Sequence, residues 1–279
     1  MTEVDPVQAL VREADFGRYA ATLFAPADAR PHLFALYAFD IEVARVADLV
    51  REPMPGELRL QWWRDALDNP ERADVVSHPT ARALHAAIAY GRLPLEALHG
   101  VIDARVDDLY DDPVPTLAEL EARFGATCSA VLRLASLIAA GGRDPGGPEA
   151  CGFGGVAQGM ERALAAFGKL ASRGQSLLPA ELMAAAAVRR EDLFAGRATP
   201  EIEAALARLR AHAETRLAEA RAAAAGMEPV GLAALLPLAL VEPALALTRG
   251  RDPFAPAMEI SRWRTLLRLL RFSRKTPTF

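Results

Sequence analysis

Helical periodicity runs almost end to end through this chain, and no stretch reads convincingly as a strand. That feature confines the fold to packed helices. Prolines punctuate the pattern where helices start, a position at which the missing N–H would lack an intrahelical partner anyway. Asp5-Pro6 reads as a cap and first helical residue. A second helix is predicted from near Pro26 or Pro31 to about Val50, closed by the Glu52-Pro53 and Met54-Pro55 steps. A third carries GELRLQWWRDALDN, with Leu60, Trp63 and Leu67 on one face. Pro79, Pro94, Pro115 and Pro179 mark further starts. The Gly- and Pro-rich run GGRDPGGPEACGFGG reads as a loop between two halves. Beyond it come an alanine-rich helix from about Val156, a long one over 200–226, a buried helix or helix pair over Leu232–Leu247, and a last helix from about Met258. Many helices on short connections predict an all-α bundle.

With 279 residues, 52% of them hydrophobic, the chain can bury a large core. We expect one domain over 1–279, with 258–279 as a basic amphipathic helix and tail. The net charge of -4 and a pI of about 5.8 argue against disorder and against nucleic-acid binding. Arginine carries the positive charge, because the only lysines are Lys169 and Lys275. Cys128 and Cys151 make no disulfide framework, which fits a reducing compartment. The N-terminus lacks the pattern of a secretion signal. Leu232–Leu247 contains Pro237, Glu242 and Pro243 and falls short of a membrane span, so the chain reads as soluble.

Few local motifs carry chemistry. Asp103, Asp107 and Asp111 recur at every fourth position, with Asp108 and Asp112 beside them. On one helical face they offer oxygen ligands to a divalent ion, and equally a solvated surface ended by Pro113. Asp40 and Glu42 lie in an otherwise apolar helix, where a buried acid needs a partner. Arg45 is three residues from Glu42 and from Asp48, so a structural ion-pair ladder is expected. Arg59, Gln61, Trp62 and Arg64 can line a shared cavity; alternatively Leu60 and Trp63 enter the core and Arg64 pairs with Asp68. GFGGVA at Gly152 to Ala157 has no strand before it and is no dinucleotide fingerprint. The histidines show no metal-ligand pairing, and neither cysteine sits in a nucleophile motif. In SRWRTLLRLLRFSRK, Trp263, Leu266, Leu267 and Leu270 form one stripe, with Arg264, Arg268, Arg271 and Lys275 on another side. Such a helix either rests on an anionic membrane or closes the bundle.

The runs DFGRYAATLFAPADARPHLFALYAFDIEVARVADLV and GELRLQWWRDAL resemble the opening of squalene/phytoene synthase proteins. The likeness continues at TLAELEARFGATCSAVLRLA and GGVAQGMERALAAFGKLASRGQSLLPAELM, and covers about Asp15 to Leu193. It implies the isoprenoid-synthase helical bundle. It also implies chemistry in which Mg²⁺, held by carboxylates on two facing helices, clamps a departing diphosphate.

Aligned on ALYAF, the first aspartate-rich motif of that family falls on Ala44, Arg45 and Asp48, leaving one acid. Counted back from Leu178-Pro179, the second falls on Ala166, Gly168, Lys169 and Leu170, leaving none. Cations at former metal positions repel a divalent ion. The departures resemble a branch of the family that assists assembly of respiratory complex I. The resemblance therefore implies a non-catalytic scaffold or assembly factor with a protein partner and no cofactor. It further implies an isoprenoid or lipid in the leftover cavity, and a cytoplasmic seat peripheral to the inner membrane. The residues expected at that cavity are Tyr37, Asp40, Arg45, Asp48, Gln61, Asp108 and Gln158. The competing expectation is a Mg²⁺-dependent prenyltransferase that condenses two prenyl diphosphates.

Overall fold

The computed structural model describes residues 5–274 and 279. No strand occurs among the described residues. The first helix, α1 (Pro6–Ala14), is capped by Asp5, whose carboxylate accepts from the Val7 N–H at 3.0 Å. Asp15 ends α1 and caps α2 (Phe16–Thr22). The predicted second helix is α3 (Arg30–Ala44) followed, after a break at Arg45, by the single turn α4 (Val46–Leu49). Between Leu33 and Ile41 every residue of α3 is buried, including Asp40. A helix apolar on all sides belongs in the middle of a bundle.

Next come α5 (Pro53–Asp68), α6 (Ala73–Ser77), α7 (Pro79–Gly91) and α8 (Leu95–Ala104). Pro53 and Pro79 occupy the first turns of their helices, so Pro53 opens α5 as well as closing what precedes it. After α8 the chain tightens into a 3₁₀ turn, Val106–Leu109. α9 (Leu117–Phe124) runs through a π-helical segment, Gly125–Ser129, into α10 (Ala130–Ala139).

The predicted central loop is only half a loop. α11 (Pro148–Ala171) starts eight residues earlier than expected and takes GFGG into its interior. Those glycines are spacers. A Cβ on Gly155 would collide with the backbone of Ser129, so the side-chain hydrogen lets α11 lie against the π segment, where Ser129 Oγ donates to Gly152 O at 2.7 Å. α12 (Ala180–Ala185) and α13 (Arg190–Phe194) lead to α14 (Pro200–Ala223), which packs along α11. α15 (Pro229–Leu235), a 3₁₀ turn and α16 (Val241–Leu247) form the expected helix pair. Together they make a 19-residue stretch, Pro229–Leu247, long and apolar enough to cross a membrane, contrary to the shorter segment read from sequence. Leu117–Ala139 passes the same test; 50% and 61% of the two stretches are buried inside the bundle. The last helix, α17 (Arg262–Ser273), begins four residues later than expected.

Among the described residues, two apolar clusters fill the interior. One gathers α1, α3, α5, α7 and α8; the other gathers α11, α14, α15 and α16. α10 serves both, with Val131 and Leu134 in the first and Leu132 in the second.

Candidate functional site

α3 and α4 face the C-terminal half of α11 across a cavity of about 260 Å³. Ala44, Ala47 and Asp48 line one wall; Ala163, Ala166, Lys169 and Leu170 line the other. The floor and rim come from Arg105, Asp108, Asp111, Arg123, Cys128 and Arg162. The two segments singled out from sequence are thus brought face to face, although 121 positions separate Asp48 from Lys169.

Direct ion pairs span the cavity. Lys169 Nζ donates to both oxygens of Asp48 at 2.9 and 2.8 Å, and Arg173 Nη1 donates to Asp48 Oδ1 at 2.6 Å. Burial alone would raise the Asp48 carboxyl, but these two cations hold it below the usual carboxylate range. Asp48 therefore pairs with α11 and the turn after it, and not with Arg45, which points to solvent. The expected ladder along α3 does not form. Glu42 accepts from Thr80 Oγ1 at 2.5 Å and lies 3.5 Å from His78.

Asp40 anchors a second network beneath the cavity. Arg18 Nη1 reaches Asp40 Oδ2 at 2.5 Å, and Arg105 Nη2 reaches Oδ1 at 3.1 Å. Arg105 and Arg123 share Asp108 at 3.2 and 2.5 Å, while Arg162 pairs with Asp15 at 2.8 Å. Burial of Asp40 opposes its charge, yet Arg18, Arg105 and Arg162 outweigh it and hold the carboxyl far below its ordinary value. Arg18 stays charged for the converse reason: burial opposes it, and Asp40 and Asp15 more than compensate. Tyr37 stacks on Arg18 with the guanidinium 4.8 Å from the ring centre, and burial pushes its hydroxyl up to about 12.

Several expected cavity residues lie elsewhere. Tyr37 is core. Gln61 is exposed and donates to Asp65, so α5 presents Leu60 and Trp63 to the core and keeps its polar face in solvent. Arg64 pairs with Asp103 at 2.6 Å, not with Asp68, which takes His99 at 3.0 Å. Gln158 is buried in α11 with its Oε1 unpartnered, but it does not line the cavity. The acidic face at 103–112 does not exist, because α8 ends at Ala104 and the chain extends at Tyr110. Asp103 and Asp107 point to solvent, Asp108 is held by arginines, and Asp111 sits at the cavity rim.

Sequence reasoning missed Arg18, Arg105, Arg123, Arg162 and Arg173. Arg18 and Arg105 have an acid three residues away, Asp15 and Asp108. The pairs that tie the helices together, to Asp40, Asp108, Asp15 and Asp48, span 15 to 147 positions, and no local spacing marks them. The one available signal is an arginine inside an apolar run, as in FGRYAAT.

A divalent clamp needs free oxygen donors on both walls. Here the α11 wall supplies Lys169 and no carboxylate, and the two best-placed acids, Asp48 and Asp108, are each held by two cations. Among the described residues no group of three or more His, Cys, Asp or Glu side chains converges. The donor set does not fit a Mg²⁺ cluster.

The family model for squalene/phytoene synthase matches residues 11–270. The chain belongs to that family. Solved structures support the fold. A squalene synthase, HpnC, from Alicyclobacillus acidocaldarius superposes with a TM-score of 0.75 at 22% identity, over 90% of this chain and 94% of that one. A dehydrosqualene synthase superposes with a TM-score of 0.82 at 17% identity, over 95% and 93%. Relatives similar in sequence carry a different description: the "NADH dehydrogenase (ubiquinone) complex I, assembly factor 6" of Bos taurus is 31% identical over 185 residues, 66% of this chain and 55% of that protein. The Homo sapiens protein of that name is also 31% identical over 185 residues, with the same shares covered. The chain spans about half the length of the curated relatives it matches.

Proposed function

We propose that this family member is a non-catalytic assembly factor that keeps the isoprenoid-synthase bundle as a scaffold and works on respiratory complex I. One observation carries the reading: Lys169 and Arg173 bind Asp48 directly across the cavity, where both aspartate-rich motifs are expected to meet. A protein cation there takes the structural place of a metal ion, and its charge is already engaged by Asp48. The relatives described as complex I assembly factors supply the process. The same reading expects no resident cofactor and a protein partner. It seats the protein in the cytoplasm, peripheral to the inner membrane.

A second reading has one observation in its favour. A smaller, mainly apolar cavity of about 230 Å³, lined by Leu178, Met183, Val188 and Phe194, adjoins the charged one through Asp111 and Ser176. An isoprenoid or lipid with an anionic head and an apolar tail fits that pair of cavities, held without reaction.

The test is direct. Purified protein incubated with farnesyl or geranylgeranyl diphosphate and Mg²⁺ should release no diphosphate. Robust turnover abolished by EDTA would reject the proposal in favour of a prenyltransferase. Deleting the gene in its host should lower the amount of fully assembled complex I on native gels, and a Lys169→Ala copy should restore it, because scaffolding needs the bundle and not this cavity.

A further inference from the structure

α17 turns its apolar stripe outward. Thr265 and Leu269 are buried against the bundle with Phe272 beside them, and Arg268 is tied down, donating to Ala239 O at 2.5 Å and to Glu242 at 3.0 Å. At 100° per residue, Trp263, Leu266, Leu267 and Leu270 occupy the far side of the helix. They remain 60%, 42%, 57% and 36% exposed. Closure of the bundle, the bland expectation for this stripe, is therefore the work of Thr265, Leu269 and Phe272. An open groove beside the stripe adds Met258, itself 55% exposed.

Charge identifies the occupant. From Arg262 to Arg274 there are five arginines and no acid, in a chain whose net charge is -4. Arg264 and Arg271 flank one edge of the stripe, and Arg262 flanks the other. Lys275, the remaining cation expected here, lies outside the described residues. A second copy of this chain, docked isologously on the stripe, would bring these arginines against their own equivalents. A bilayer carrying anionic lipid accepts both parts together: leucine and tryptophan enter the acyl boundary while the arginines stay at the headgroups.

We propose that α17 is a membrane-surface anchor that binds anionic lipid bilayers through Trp263, Leu266, Leu267 and Leu270, with Arg264 and Arg271 on the phosphates. The proposal is independent of what the cavity does.

The full chain is floated with vesicles of phosphatidylcholine alone and of phosphatidylcholine mixed with phosphatidylglycerol. It should float only with the mixed vesicles, and raising the salt should release it. Leu266→Ser with Leu267→Ser, and separately Arg264→Glu with Arg271→Glu, should each weaken binding roughly tenfold or more while the melting temperature stays near that of the wild type. These side chains are solvent-facing, so the variants fold. Failure to float with the mixed vesicles overturns the proposal, as does flotation that both variants retain. Self-association that the leucine variant abolishes, without vesicle binding, would give the stripe to a second copy instead.

Discussion

Lys169 Nζ lies 2.8 Å from Asp48 Oδ2, so a cation on α11 closes directly on the one acid that α4 offers to the cavity. Exposed pairs of this kind contribute at most about 1 kcal/mol to stability. Their importance here is that they occupy the space in which two carboxylates would have to share a metal.

Reversing that wall should create a metal response. Lys169→Asp combined with Arg173→Gln leaves two carboxylates facing each other, which repel until a divalent cation joins them. At Mg²⁺ concentrations several times the dissociation constant, the variant should gain about 1 kcal/mol, a few degrees in melting temperature. The wild type should not shift. A matching shift in the wild type counts against the donor-set argument.

Asp40→Asn should be costly. It leaves Arg18, 1% exposed, with a full charge and no carboxylate within reach except Asp15 at 3.6 Å. Breaking a buried pair in this way costs roughly 3–5 kcal/mol, read as a lowered denaturation midpoint. The pH dependence follows from the sign of the shift. Asp40 is held below its unfolded value, so its stabilisation is complete above pH ~4 and drains away as pH falls further. The variant should lose that part of the acid slope.

Glu161 gives the opposite sign. It is half-buried beside α16, and burial pushes its carboxyl up to about 7, opposed by Arg162 and reinforced by Asp15. The folded state therefore binds a proton that the unfolded state has released, and stability falls as pH rises from about 4.5 to about 7. Glu161→Gln should flatten the melting-temperature profile over that window and melt above the wild type at pH ~8. An unchanged profile removes Glu161 from the account.

Gly155→Ala should destabilise by about 1–3 kcal/mol, because the added methyl meets the Ser129 backbone, which cannot step aside. Gly152→Ala, three residues earlier in α11 with nothing within 4 Å, should be neutral or gain a few tenths of a kcal/mol from helix propensity. Thermal melts of the two variants, run side by side, check the contrast. Equal effects would mean that the glycines of α11 are not spacers.

The periodicity of the apolar residues and the prolines at helix starts determined an all-α bundle, because helix formation depends on short windows. That the residues at 44–48 and 166–170 would meet was implied by the resemblance to the family, not by any local pattern. Where sequence reading failed, a neighbour in space overruled a local rule. The GFGG run looked like loop until the Ser129 backbone made small residues necessary inside α11. The acids at 103–111 looked like one face until the helix ended at Ala104. Local spacing matched Arg45 to Glu42 and Asp48, and Arg64 to Asp68, whereas the structure uses partners 22 to 125 positions away for Asp40 and Asp48. Only the tertiary structure could decide those pairings, and which side of α17 faces out. Burial and Coulomb attraction act through space, and the chain does not record the distances between helices.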